Sequence, residues 1–180
     1  RGITVDISSG RGQDLFRKLV EKSDVIVESF PSGFMASLGL DYPELAIINK
    51  IIILTSVTPF GQTGPYSNFA ASEMVISALA GVLYLVGQEH RAPVHTNMPN
   101  SIYSSAALDA AIGTLMAYYE CQYSGTGQHV DVSAQASAEL LTVHAALNWE
   151  VNQFIATRKG PALHASRGGW PRRIHWKCKD

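Results

Sequence analysis

The stretch best suited to binding chemistry is Pro59-Phe60-Gly61-Gln62-Thr63-Gly64-Pro65-Tyr66. Gly61, Gln62 and Gly64 make a flexible loop with exposed backbone amides, which serves either as a ligand-binding loop or as a tight structural turn. It follows directly on Lys50–Ser56, a run apolar on both faces. The carboxyl ends of parallel strands are where such sheets place ligands. Other reactive residue types are less suggestively spaced. Asp109 falls within a helical stretch and reads as a capped or partly exposed helix carboxylate. His90, His95, His129, His144, His164 and His175 lack a metal spacing such as His-x-x-x-His, and no metal is expected. Gly10, Gly12, Gly61 and Gly64 do not make Gly-x-Gly-x-x-Gly after a strand, which argues against a dinucleotide-dependent dehydrogenase. Serine–glycine patterns near a histidine are too sparse to argue a hydrolase.

The elements that would carry these residues can be read from periodicity. Residues 3–7 alternate β-branched and polar types and read as a strand. Ser8-Ser9-Gly10 then reads as a turn or cap, and Leu15, Phe16, Leu19 and Val20 recur at helical spacing over residues 11–22. Asp24–Glu28 reads as a short buried strand, so residues 3–28 form an expected βαβ unit with parallel strands. Pro31-Ser32-Gly33 opens a helix through Leu38 that Gly39 can stop, and Asp41 can cap a short helix over Tyr42–Ile47. Lys50–Ser56 suits the middle of a parallel sheet covered by helices. Residues 1 to about 58 therefore read as part of a doubly wound α/β layer. Beyond the glycine loop, residues 70–86 read as an apolar helix and 101–122 as a long helix. In the latter, Ala106, Ala107, Ala110, Ala111 and Gly113 allow close contact. Gly125-Thr126-Gly127 reads as a turn and Val130–Val132 as a strand. Ser133 can cap a third long helix to about Ile155, and residues 158–173 read as an extended connection.

Composition narrows the function classes. The 180 residues are 46% hydrophobic and 16% charged, a globular balance with enough chain for a core. Fourteen Lys+Arg face fifteen Asp+Glu, so nothing argues for a nucleic-acid partner. The group Arg167, Arg172, Arg173, Lys177 and Lys179 reads as a solvated tail. Two cysteines make no disulfide framework, which fits a reducing, cytoplasmic compartment. Cys121 reads as a small core residue. No apolar run approaches a membrane span, and no membrane partner is expected. The chain starts without Met on an apparent strand and stops on Ile174–Asp180, which reads as a strand entering a turn. A piece of a longer protein is expected, with apolar strand edges that would leave residues 1–180 poorly folded alone.

Three blocks together resemble the class III coenzyme A transferases, a family that includes formyl-CoA and carnitine CoA-transferases and α-methylacyl-CoA racemase. The first is Asp24-Val-Ile-Val-Glu-Ser-Phe-Pro-Ser-Gly33 with Leu38-Gly39-Leu40. The second is Ser56-Val-Thr-Pro-Phe-Gly-Gln-Thr-Gly-Pro-Tyr66. The third is Ala110-Ala-Ile-Gly113 followed by Ser124-Gly-Thr-Gly-Gln-His-Val-Asp-Val-Ser133. Order and spacing agree over about residues 1–157. The resemblance implies an α/β fold with a Rossmann-like parallel sheet and long helices leading toward a second, smaller domain. In the family two chains interlock as a dimer, so a homodimer is expected of the full-length protein. Residues 1–157 would belong to the large domain and 158–180 would lead into the smaller one.

The resemblance also implies chemistry. The family transfers CoA from an acyl-CoA thioester to a carboxylic acid, with CoA as substrate and no covalently bound cofactor. Its nucleophile is an aspartate near the start of the helix before the Thr-Gly-x-Gly-Gln turn. Counting from Gly113 and from Gly125–Gln128 places that position at Tyr103, whose neighbours Ser101, Ile102 and Ser104 are not acids. Asp109 lies about one and a half turns further on and projects from a different face. The His/Asp pair of family racemases falls at Ser72 and Tyr103, so racemisation by that pair is not expected. Ser29 and Phe30 match an Asn-Phe pair that touches CoA, and Phe30 reads either as an adenine-stacking ring or as core. Glu73 matches an acidic position near the active site. It reads either as the candidate catalytic residue or as a helix N-terminal charge. Gly61 and Gln62 are the remaining candidate CoA-binding residues. Two basic positions used around CoA phosphates fall at Ser37 and Ala70, so phosphate affinity would have to come from backbone N–H groups or other segments.

Overall fold

A computed structural model describes residues 2–95, 100–160, 162–163 and 172–173. The elements run α1 (Gly10–Val20), β1 (Val25–Glu28), α2 (Phe34–Ser37), α3 (Tyr42–Ile48), β2 (Ile53–Thr58), α4 (Glu73–Leu79) and α5 (Val82–Leu85). They continue with α6 (Ser101–Ser124), β3 (His129–Ser133), α7 (Ala134–Glu139), a 3-10 turn at Leu140–Thr142, α8 (Val143–Asn152), and the two-residue strands β4 (Ala162–Leu163) and β5 (Arg172–Arg173). The chain divides into two compact units, Arg1–Ala70 with Ala106–Ala134, and Ala71–Ser105 with Gln135–Asp180.

The first unit is a three-stranded parallel sheet in the order β1-β2-β3 with helices against it. β2 is central, as its apolar composition predicts, and five of its six residues are buried. On one face Val20, Met35, Leu40, Leu45, Ile52 and Leu54 form the core, flanked by Phe16, Ile26 and Tyr42. Leu40, Leu45 and Ile52 are fully buried, each contributing about 2 kcal/mol of apolar transfer. On α6, the Thr114 hydroxyl lies 2.6 Å from that of Thr55. Buried Cys121 makes its weak thiol contact with the Ile51 carbonyl at 3.7 Å, the small core residue expected of it. A Cβ at Gly113 would sit 2.9 Å from Val130, so the expected close contact is real there. Of the flanking alanines, Ala106 and Ala110 are buried whereas Ala107 and Ala111 face outward.

Several elements depart from the periodicity reading. Residues 3–7 form no strand, and the outer edge of β1 has no ladder partner among the described residues. The parallel crossover is made instead by β1, α2–α3 and β2. The central strand starts at Ile53 rather than Lys50. Asn49 turns the chain there, donating through Nδ2 to the carbonyls of Val20 (3.1 Å) and Ser23 (2.8 Å) and accepting from the Ile51 amide. The strand runs on to Thr58 because Thr58 pairs with Ser133.

In the second unit the expected helix 70–86 breaks at Gly81, which takes φ +78°. The expected helix 133–155 breaks at Leu140–Thr142, where the Thr142 hydroxyl donates to the carbonyls of Ala80 and Glu139. β4 and β5 pair antiparallel within the stretch read as an extended connection. The strand expected over 174–180, Cys178, and the basic residues Arg167, Lys177 and Lys179 lie outside the described residues.

Two hydrogen bonds fix the turn before β3. The Gly127 amide donates to the Lys50 carbonyl at 2.9 Å, and the Tyr42 hydroxyl donates to the Gly127 carbonyl. A Cβ on residue 127 would lie 1.8 Å from the Ile52 carbonyl oxygen. Gly127→Ala is therefore expected to destabilise the full-length protein by about 3 kcal/mol or more. Gly125→Ala, at φ +64° with open space around it, should cost only about 1 kcal/mol. Chemical denaturation of the two variants measures the difference.

Candidate functional site

In the first unit the sheet register places Glu28, Ser56 and Asp131 side by side on three adjacent strands. The loop that follows β2 is tied across this row. The Gln62 amide donates to both carboxylate oxygens of Asp131, at 3.1 and 2.9 Å. The Gln62 side-chain carbonyl accepts from the Gly33 amide and the Ser32 hydroxyl, both at 3.3 Å. The Ser32 hydroxyl also lies 3.0 Å from the Gln62 backbone carbonyl, as a donor to it. Gly61 is buried at φ +86° with its Cα side against the Asp131 carboxylate, a turn that favours glycine. The loop thus joins all three sequence blocks, and its amides are partly spent on holding itself.

A cleft of about 390 Å³ opens beside this loop, with Glu28, Asp41, Ser56, Gln62, Asn68 and His129 among its lining residues. Ser56 Oγ lies 2.9 Å from His129 Nε2, and the His129 ring stacks on Tyr42 at 6.1 Å and 17°. Burial, and secondarily the nearby Cys121, pushes the Tyr42 phenol above its ordinary pKa, consistent with its role as a donor to Gly127. Glu28 is 8% exposed, and one oxygen accepts the Phe30 amide at 2.7 Å. Ser29 and Phe30 themselves do not line this cleft. Ser29 is exposed, and Phe30 is 39% exposed with its ring 4.9 Å from that of Phe34, so Phe30 is not a core residue. Of the expected binding residues the structure therefore brings Gln62 to the cleft and sets Gly61 behind it.

In the second unit, Glu73 stands at the first residue of α4, and its carboxylate accepts from the start of α6. The donors are the Asn100 amide (3.0 Å), the Ile102 amide (2.9 Å) and the Ser101 hydroxyl (3.4 Å). This is helix capping by an acid distant in sequence, favourable for unsatisfied N–H groups and for the helix dipole. Tyr103 follows one residue on, 36% exposed. The acidic position and the nucleophile position are thus neighbours, but the carboxylate serves the helix end. Asp109 is partly exposed, as its helix placement suggested, and a second acid on α6, Glu120, accepts from Gln128 and Ser124.

Sequence reasoning did not single out Glu28, Asp41, His129 or Asp131 as site residues. Glu28, His129 and Asp131 lay inside the quoted blocks. The signal for them was the parallel register, which puts residues from three strands in one row. Among the described residues no three His, Cys, Asp or Glu side chains group as a metal site, and no helix is long and apolar enough to cross a membrane. Replacing Asp131 with Asn should speed hydrogen exchange at the Gln62 amide about tenfold or more, since a charge-assisted bond of ~1.5–3 kcal/mol is weakened. Glu73→Ala should lower full-length stability by about 1 kcal/mol, read by denaturant titration.

The profile of CoA-transferase family III matches residues 1–180. The chain is 37% identical over 160 residues to the succinyl-CoA:(R)-benzylsuccinate CoA-transferase subunit BbsE of Thauera aromatica, covering 89% of this chain and 39% of that protein. It is 33% identical over 165 residues to the succinate–glutarate CoA-transferase of Agrobacterium fabrum, covering 88% and 38%. Among solved structures, a CAIB/BAIF family protein from Brucella suis superposes with a TM-score of 0.84 at 30% identity, over 89% of this chain and 42% of that one. Rv3272 of Mycobacterium tuberculosis, at 23% identity and a TM-score of 0.76, shares the fold. The chain spans about two fifths of the curated relatives it matches. With the parallel sheet, the loop tied to Asp131 and the profile match over its whole length, the chain belongs to CoA-transferase family III.

Proposed function

We propose that the full protein transfers CoA from an acyl-CoA thioester to a carboxylic acid, with CoA as substrate and no covalently bound cofactor. The observation that carries this reading is the family match over residues 1–180. Relatives whose names state CoA transfer from succinyl-CoA, at 37% and 34% identity, support it. Chemistry of this class passes through carboxylate attack on the thioester and a mixed anhydride. Ser29, Phe30, Gly61 and Gln62 are the candidate contacts to CoA on this chain. On this reading residues 1–157 lie in the large domain and 158–180 lead toward a smaller one. The absence of a disulfide framework supports a cytoplasmic, reducing location. The outer stripe of α6, where Leu108, Ile112, Leu115 and Met116 are exposed, supports a homodimer that covers apolar surface.

A second reading is favoured by one observation: Tyr103 stands where the carboxylate nucleophile is expected. A phenol is neutral at neutral pH and forms no acyl anhydride. Glu73 is a poor replacement, since both its oxygens already accept hydrogen bonds from the start of α6. On this reading the protein is a catalytically degenerate homologue that binds CoA esters or serves as a partner subunit, with any carboxylate nucleophile supplied from elsewhere.

Hydroxylamine trapping separates the two. Full-length protein incubated with succinyl-CoA and a carboxylic acid acceptor, then treated with hydroxylamine, should give a hydroxamate on one Asp or Glu by mass spectrometry if it is a transferase. Intact binding of the CoA ester by calorimetry without any adduct selects the degenerate reading, and loss of all CoA-ester binding sinks both. Glu73→Gln is expected to leave any adduct in place, because residue 73 acts as a cap. An adduct mapped to Glu73 itself would reverse that assignment.

A further inference from the structure

A second cavity, of about 320 Å³, lies between α5 and α8, and the residues lining it all belong to the second unit. Gly81 on one side and Ala145 and Ala146 on the other leave the gap open, because none has a side chain long enough to reach across it. Tyr84 and Trp149 wall it with rings that are half exposed. Among the described residues no lining side chain is charged, and the Thr142 hydroxyl is already engaged with the carbonyls of Ala80 and Glu139. The charge stands beside the cavity. After α8 the chain reverses at Gln153, which takes φ +51°, and returns to α5, where the Gly160 amide donates to the Gly87 carbonyl at 3.0 Å. On this return Arg158 lays its guanidinium on the Tyr84 ring, 5.6 Å from the centroid, and donates through Nη1 to the Tyr84 carbonyl at 2.9 Å. Its Nε is buried with no acceptor, and it forms no ion pair among the described residues. Glu89 pairs with the neighbouring Lys159.

Apolar walls select an apolar body, and a guanidinium whose buried N–H nothing accepts selects an anion. We infer that the cavity between α5 and α8 binds an amphiphilic anion, its apolar tail between Tyr84 and Trp149 and its single anionic head group paired with Arg158. A neutral ligand would leave the Arg158 Nε–H unmatched, and a cationic one would meet like charge at that end. The volume is at the small end of ligand pockets, which suits one short tail rather than a segment of another protein. The inference stands apart from CoA transfer, since none of Ser29, Phe30, Gly61 and Gln62 lines this cavity.

The test uses full-length protein and three probes that share one tail: octyl sulfate, octanol and octylamine, each titrated by calorimetry below its micelle-forming concentration. Octyl sulfate has no carboxylate to accept CoA, so its binding does not report a transfer site. It is expected to bind about fivefold or more tightly than octanol, with octylamine weakest, and to shift the Arg158 Nε–H resonance in NMR. Arg158→Gln should bring octyl sulfate down to the affinity of octanol. Ala145→Leu fills the gap and should weaken octyl sulfate and octanol alike by about tenfold or more. Ala146→Leu serves where Ala145→Leu does not fold. Equal affinity of octyl sulfate and octanol, an unmoved Arg158 resonance, or undiminished binding in the leucine variants overturns the inference. So does displacement of octyl sulfate by acetyl-CoA, which would make the cavity part of a CoA site.

Discussion

The loop after β2 depends on a single acceptor, the carboxylate of Asp131. Its two oxygens receive the Gln62 amide, and Gln62 in turn accepts from Ser32 and Gly33. Three segments far apart in sequence are thereby locked at the carboxyl ends of β1, β2 and β3. The loop after β2 could otherwise sample many conformations, since Gly61 and Gly64 both take positive φ. Fixing it gives the neighbouring cleft a wall of defined shape. Burial alone could not do this, because apolar packing is non-directional.

Much of this arrangement was legible in the sequence. β1, β2 and β3 were each placed to within a few residues, because β-branched apolar runs bounded by Gly, Pro and Asn carry a strong signal. The central position of β2 followed from its being apolar on both faces. What failed was whatever depended on partners rather than on local pattern. Residues 3–7 have strand composition but join no ladder, although the outer edge of β1 is open among the described residues. Gly81 and Thr142 interrupt stretches whose apolar content reads as continuous helix, and the deciding terms are a positive φ and a side-chain bond to Ala80. At the site, Gln62 was named for the loop's exposed amides, and the structure shows its own amide engaged by Asp131. Glu28 and His129 were invisible as partners of one cleft because only the register juxtaposes them.

Glu73 sits against the start of α6, beside the position where a nucleophile is expected. A carboxylate close to the expected nucleophile position invites a catalytic reading. Its hydrogen bonds, to two backbone amides and a hydroxyl of one helix start, describe a cap. A carboxylate that accepts from a helix terminus is oriented and stabilised there. The position of α6 is then a structural given around which any chemistry must be arranged.

The topology of the sheet has a consequence for how the chain is made. β1 and β2 are joined by a short crossover, whereas Leu54 of β2 meets His129 of β3, 75 positions later. During synthesis β2 must wait for that distant segment with one ladder edge open and its apolar residues exposed. Closing so long a loop costs only a few kcal/mol, but it delays the pairing. The interval in which β2 is half-paired is the stage at which a nascent chain is most exposed to strand-to-strand association with its neighbours.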